Sequence, residues 1–188
     1  MASGNISRVI RGQGRIVINP VNLNAVYPHG GTEVGKTNLC VLAVLGQTLR
    51  IDCEGLGEAT DVLTRNNQYV FSCFLRGWDD DAVEQLLKPN YVKGAVSGHA
   101  VYQEPGAKAP GESSLDRSVI LLYVPDDLIH VPAMLIYRGI PNWSDGSEFA
   151  FQREDEEIGL PLAVDCLRDD DDKILKIGRF ADLVPSLS

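Results

Sequence analysis

Thr64-Arg65-Asn66-Asn67-Gln68-Tyr69-Val70-Phe71-Ser72-Cys73-Phe74-Leu75-Arg76-Gly77-Trp78-Asp79-Asp80-Asp81-Ala82-Val83-Glu84-Gln85-Leu86-Leu87-Lys88 changes its hydrophobic period partway along, and that change decides the fold class. Tyr69, Phe71, Cys73 and Leu75 recur at every second residue, the period of a strand with one buried face. From Trp78 the apolar positions become Ala82, Val83, Leu86 and Leu87, which line one stripe of a helix over about residues 78–88. Aspartates crowd its first turn, where they meet unpaired N–H groups and the positive end of the dipole, and Lys88 and Pro89 close it. Asn66-Asn67 tolerates positive φ, so the sequence predicts a hairpin turn there. A helix of this kind packs on a sheet.

The remainder reads mostly as strands. Gly14 to Asn19 forms a first strand and stops at Asn19-Pro20, where the missing N–H and the restricted preceding residue break regular structure. Further strands are expected at Leu39–Leu45, Thr48–Cys53, Ala95–Tyr102, Ser118–Val124, Ala133–Ile140, Glu148–Arg153, Leu160–Leu167 and Ile174–Ile177, with Pro161 marking a strand start or edge. Residues 20–38 and 103–116 are rich in Pro and Gly and read as two long loops, the first extended and the second polar. The expected architecture is a single mainly β domain over residues 1–188, a β-sandwich or barrel with one flanking helix and long inter-strand loops.

Composition narrows the function classes. The chain has 188 residues, 44% hydrophobic and 23% charged, enough to bury a core without disulfides or a structural metal. The longest apolar run, Leu39 to Leu45, falls far short of the ~20 residues of a membrane-spanning helix, so no membrane insertion is expected. The N-terminus lacks the basic and apolar segments of a secretion signal, which points to a cytoplasm. Cys40, Cys53, Cys73 and Cys166 form no C-x-x-C pair and read as buried free thiols. The formal charge of −9 is uneven, since residues 1–50 carry five Lys/Arg against one acid. So acidic a body repels nucleic acid, because phosphate neutralisation supplies most non-specific affinity.

Gly30-Gly31-Thr32-Glu33-Val34-Gly35-Lys36-Thr37 satisfies the phosphate-loop pattern G-x-x-x-x-G-K-[ST]. A true phosphate loop needs a buried strand before the first glycine and a helix starting at the lysine, and the stretch from Pro20 to Pro28 is no such strand. A helix from Thr37 to Leu45 stays open, so Gly30, Gly35, Lys36 and Thr37 are the cofactor-binding residues of an alternative, nucleotide-binding reading. The preferred reading is a glycine-rich surface loop with no cofactor. Asp169-Asp170-Asp171-Asp172 lacks the alternating ligand spacing and glycine of a calcium loop and reads as a solvated turn, as does Glu154-Asp155-Glu156-Glu157. His29, His99 and His130 are scattered, no serine sits in a G-x-S-x-G elbow, and neither a metal site nor an enzyme is expected.

Several short words run in order through most of the chain: Asn19-Pro20-Val21-Asn22-Leu23, Tyr27-Pro28-His29-Gly30-Gly31-Thr32-Glu33-Val34-Gly35, Arg76-Gly77-Trp78-Asp79, Val96-Ser97-Gly98, Leu160-Pro161-Leu162-Ala163-Val164 and Lys176-Ile177-Gly178-Arg179. In their order and spacing they resemble the bacteriophage tail tube (major tail) protein family. The resemblance implies a structural virion protein of the tail, assembled in the bacterial host cytoplasm as homohexameric rings stacked into a tube. Its partners would be copies of itself and other tail proteins, with DNA passing an acidic lumen without specific binding. The same fold serves terminator, connector and baseplate positions, which stay open as alternatives. On this reading the 20–38 loop is a ring-stacking element carried by Asn22, Tyr27, Pro28, Gly30, Gly31, Gly35 and Lys36. Arg8, Arg11 and Arg15 are then candidates for charge contacts between rings.

Overall fold

The computed structural model describes residues 13–52, 59–87, 115, 118–142 and 159–183. Among these residues, seven strands and two helices run in the order β1 (Gly14–Ile18), β2 (Thr32–Asp52), β3 (Ala59–Trp78), α1 (Asp80–Leu87), β4 (Val119–Pro125), β5 (Ala133–Asn142), β6 (Leu160–Leu167), β7 (Leu175–Gly178) and α2 (Phe180–Leu183). The sheet order is β4-β1-β2-β3-β6-β5-β7, and a further pairing of β4 with β5 closes six strands into a barrel. Every pairing is antiparallel, and β7 continues the sheet outside the ring along Ala133–Ile136 of β5. The fold is mainly β, as the alternating segments require, and the barrel rather than the sandwich is realised.

The period-two pattern fills the barrel. Ile16 and Ile18, Leu121 and Tyr123, Met134 and Ile136, Phe71, Cys73 and Leu75, and Leu162 and Val164 share one interior cluster. The expected inward face of residues 69–75 is therefore correct, with Tyr69 partly buried against the same cluster. Ala82, Val83 and Leu86 of α1 join it too, so the helix packs on the barrel by the predicted stripe. The Asp79 carboxylate caps α1 by accepting from Ala82 N–H at 3.0 Å, which places the helix start just after Trp78, the last residue of β3.

The other face of β1, β4 and β5 is also covered. Val17, Leu122, Ala133 and Leu135 pack with Leu23 from the β1–β2 loop and with Leu183 of α2, and Tyr27, Tyr137 and Phe180 lie against them. A second, smaller core thus sits outside the barrel wall. The four-residue helix α2 was absent from the sequence expectation, which held one helix.

Three expectations are corrected. Asn66-Asn67 is not a turn: both residues lie inside β3, where the pairing jumps from Leu45↔Gln68 to Gln47↔Arg65, setting two asparagines opposite Gly46. The extra residue of β3 is taken up as a bulge within the ladder rather than as a turn between two strands. The expected strands at Leu39–Leu45 and from Thr48 are one strand that runs to Asp52, ruling out a helix at Thr37–Leu45, and Cys53 lies outside the described residues. Finally, the 20–38 loop ends at Gly31, because β2 begins at Thr32 and pairs with β1 from Ile18↔Thr32 onward. The expected strands at 95–102 and 148–153, the 103–116 loop apart from Leu115, and the acidic run at 154–157 lie outside the described residues.

Candidate functional site

The segment from Asn19 to Gly31 folds back on itself over the outer core. Asn19 takes the left-handed backbone at φ 49°, donates its N–H to Ile120 O at 2.7 Å and accepts Ile120 N–H on Oδ1 at 3.1 Å, tying the loop entrance to β4. At the exit His29 (φ 62°) and Gly30 (φ 74°) turn the chain, while His29 O accepts from both Val21 N–H and Asn22 N–H. The two ends of the loop are thereby held together.

Its interior is made by rings. His29 is buried, its Nδ1 lies 2.9 Å from Ala25 O, and its ring packs 5.1 Å from Phe180 and 5.6 Å from Tyr27, centroid to centroid. Arg15 stacks on the Tyr27 ring at 5.2 Å and pairs with Glu33 at 3.7 Å. Burial, with Glu33 second, pushes the Tyr27 phenol well above the usual range, so it stays protonated. Asn22 and Gly30 are exposed, Tyr27, Pro28 and Gly31 are half-buried, and the outermost side chains are Val21 and Val26, at 70% and 90% exposure. Of the stacking candidates, Tyr27 therefore braces the loop from within. Val21 and Val26 face solvent, and the sequence reading did not single them out. Arg15, proposed for inter-ring charge, is engaged inside its own chain; Arg8 and Arg11 lie outside the described residues.

The phosphate-loop string does not build a phosphate site. Gly35, Lys36 and Thr37 lie in β2 opposite Ile16, Arg15 and Gly14 of β1, and the strand continues to Asp52 with no helix after the lysine. Its glycines have steric work to do. A Cβ on Gly31 would stand 2.5 Å from Ile18 O, and one on Gly35 would collide with Gly77 O and lie 2.8 Å from Trp78 Cα. Thr32, Glu33, Val34, Gly35 and Lys36 line an open groove with Gly77, Trp78 and Asp79. Glu33 and the capping Asp79 bring two acidic residues to the same groove. Lys36 is exposed there and Thr37 is buried.

The third feature is the length of the β2–β3 pair. β1 leaves β2 at Thr37, and β6 reaches β3 only between Tyr69 and Leu75. From Gln47↔Arg65 to Asp52↔Ala59, both strands pair only with each other among the described residues. The two form an arm that runs past the barrel, and among the described residues no third strand pairs with either of its edges. The intended turn at Asn66-Asn67 hid this arm from the sequence reading.

Among the described residues no group of three His, Cys, Asp or Glu could hold a metal ion, and no helix is long and apolar enough to cross a membrane. The acidic turn between β6 and β7 is tied up internally: Arg138 pairs with Asp170 at 2.8 Å, Lys173 with Asp171 at 3.0 Å and Arg168 with Asp172 at 3.3 Å. Asp169 Oδ1 accepts the N–H groups of Asp171 and Lys173. The chain matches no protein-family model, and no curated protein matches it in sequence.

Proposed function

We propose that the chain is a non-enzymatic structural subunit of a bacteriophage tail tube, forming stacked hexameric rings around an acidic lumen that passes the genome. The observation that carries this reading is the arm, whose β2 and β3 edges have no third strand beside them beyond the barrel among the described residues. An uncapped edge invites another strand, and natural proteins rarely leave a long one open without use. Because the two edges lie on opposite sides of one arm, the β2 edge of one copy fits the β3 edge of the next. That contact is head-to-tail, and it closes into a ring when the rotation allows. The solvent-facing Val21 and Val26 add apolar surface for the same kind of contact, and Lys36 adds charge beside the groove.

Negative-stain electron microscopy across a concentration series, with light scattering for mass, tests the proposal. Annular particles or hollow tubes are expected, and Lys36→Glu with Val26→Asp should shorten tubes while leaving single rings. A uniform population near 20.5 kDa at every concentration overturns it.

A further inference from the structure

We propose that Cys40 and Cys73 form a dithiol site that closes to a disulfide across β2 and β3 at the root of the arm. The inference holds whatever the chain assembles into. The two cysteines are directly opposed in register, both are buried in the barrel interior, and both are free thiols. Their side chains leave the sheet on the same face, since both belong to the one interior cluster. Opposed residues of antiparallel strands have Cα atoms about 4.5 or 5.5 Å apart, and both spacings fall within the ~4.4–6.8 Å window of disulfides. The strands therefore already hold the geometry the bond requires.

The place in the fold adds to this. Thr37 is the last β2 residue that β1 reaches, opposite Gly14; the register with β3 shifts between Thr37 and Cys40, and Cys40↔Cys73 is the first rung on the far side. Register shifts loosen the ladder locally, which gives a small reagent a way in. Thr37 Oγ1 lies 3.6 Å from Cys40 Sγ. The neighbouring Cys73 thiol lowers the Cys40 pKa, and Cys40 together with burial raises that of Cys73. Cys40 is thus the thiol that ionises first, and Cys73 keeps the proton that a leaving group needs. Cys166 differs: burial pushes it up to about 11, and Tyr69 and Gly139 stand opposite it rather than a thiol.

The step balances with a two-electron acceptor such as a small azodicarboxamide. Cys40 thiolate adds to the N=N bond, giving a sulfenyl hydrazine. Cys73 sulfur then attacks Cys40 sulfur, the S–N bond breaks, and the departing hydrazide takes up the Cys73 proton. Two thiols are oxidised to one disulfide and the azo group is reduced to a hydrazine.

The test uses diamide on the native chain, followed by alkylation in denaturant and intact and peptide mass spectrometry. The expected result is loss of two of the four alkylatable thiols and about 2 Da, with Cys40 linked to Cys73, reversed by dithiothreitol. Cys73→Ser and Cys40→Ser should each abolish that link, and the wild-type peptide map alone decides if either variant fails to fold. Four thiols still alkylatable in the native protein, when the urea-unfolded chain does cross-link, overturn the proposal. So does a predominant link through Cys53 or Cys166.

Discussion

Gly35 stands opposite Trp78 and Gly77 opposite Lys36 near the end of the β2–β3 ladder, and replacing each glycine by alanine should give opposite results. At Gly35 an added Cβ collides with Gly77 O and meets Trp78 Cα at 2.8 Å and Gly77 C at 3.0 Å. All three are backbone atoms, so no side chain can swing aside. Relief requires β2 and β3 to separate, next to the groove and to the Asp79 cap of α1. Overpacking of this kind costs about 1–3 kcal/mol. For a chain of this size each kcal/mol moves Tm by ~2–4 °C, so a cost near ~2 kcal/mol lowers Tm by ~4–8 °C. At Gly77 a Cβ meets nothing within 4 Å, and the change should stay within ~0.5 kcal/mol. Thermal unfolding followed by far-UV circular dichroism on the two variants gives the comparison. Equal melting temperatures for Gly35→Ala and Gly77→Ala would refute the close-approach account of the string's second glycine.

Four further outcomes are expected. Lys36→Ala should leave Tm unchanged, and neither ATP nor GTP with magnesium should stabilise the wild-type chain in differential scanning fluorimetry, because a ligand that bound only the native state would raise Tm by mass action. Asp79→Ala removes the cap from α1 and should cost ~1 kcal/mol, read as a shift in urea midpoint. Leu183→Ala empties a fully buried position between α2 and the barrel wall; it should cost at least ~2 kcal/mol and speed proteolytic cutting between Asn19 and Gly31. The Cys166 thiol is raised by burial from 9.0 to about 11, so the folded state holds a proton that the unfolded chain gives up. Its contribution is complete below pH 9, falls as pH rises, and is lost on passing about 11; Cys166→Ala should flatten the decline in Tm between those limits.

The strand periodicity was legible because each barrel residue needs only its own alternation to be placed. Leu160–Leu167 reads off the sequence with the bounds it has in the barrel, and Tyr69, Phe71, Cys73 and Leu75 take the face their spacing requires. The helix was equally local, resting on Asp79 and the Ala82, Val83, Leu86 stripe. What failed depended on partners distant in sequence. Asn66-Asn67 turns or bulges according to what stands opposite, and Gly46 is about twenty residues away on another strand. Gly30 to Thr37 looks like a loop by its glycines, yet β1 and β3 pin it from Thr32 onward as a strand in which Gly35 admits a close backbone. The Arg15, Tyr27, Glu33 cluster and the His29–Phe180 contact join residues whose types carry no shared motif. Cys40 and Cys73 were read as isolated thiols because only the register brings them together.

Closing the barrel through β1 and β4 has a consequence for synthesis. Asn19 and Ile120, hydrogen-bonded at this seam, are 101 residues apart along the chain. β1 leaves the ribosome well before β4, the strand that must flank it, with β2, β3 and α1 made in between. The neighbouring β2 and β3 can zip as soon as both are out, whereas Ile16, Val17 and Ile18 wait with one side open. Ordering so distant a pair is slow in proportion to the loop it closes. The nascent chain therefore spends its longest exposed interval with β1 half-dressed, and translation speed before β4 sets how long a chaperone has to shield it.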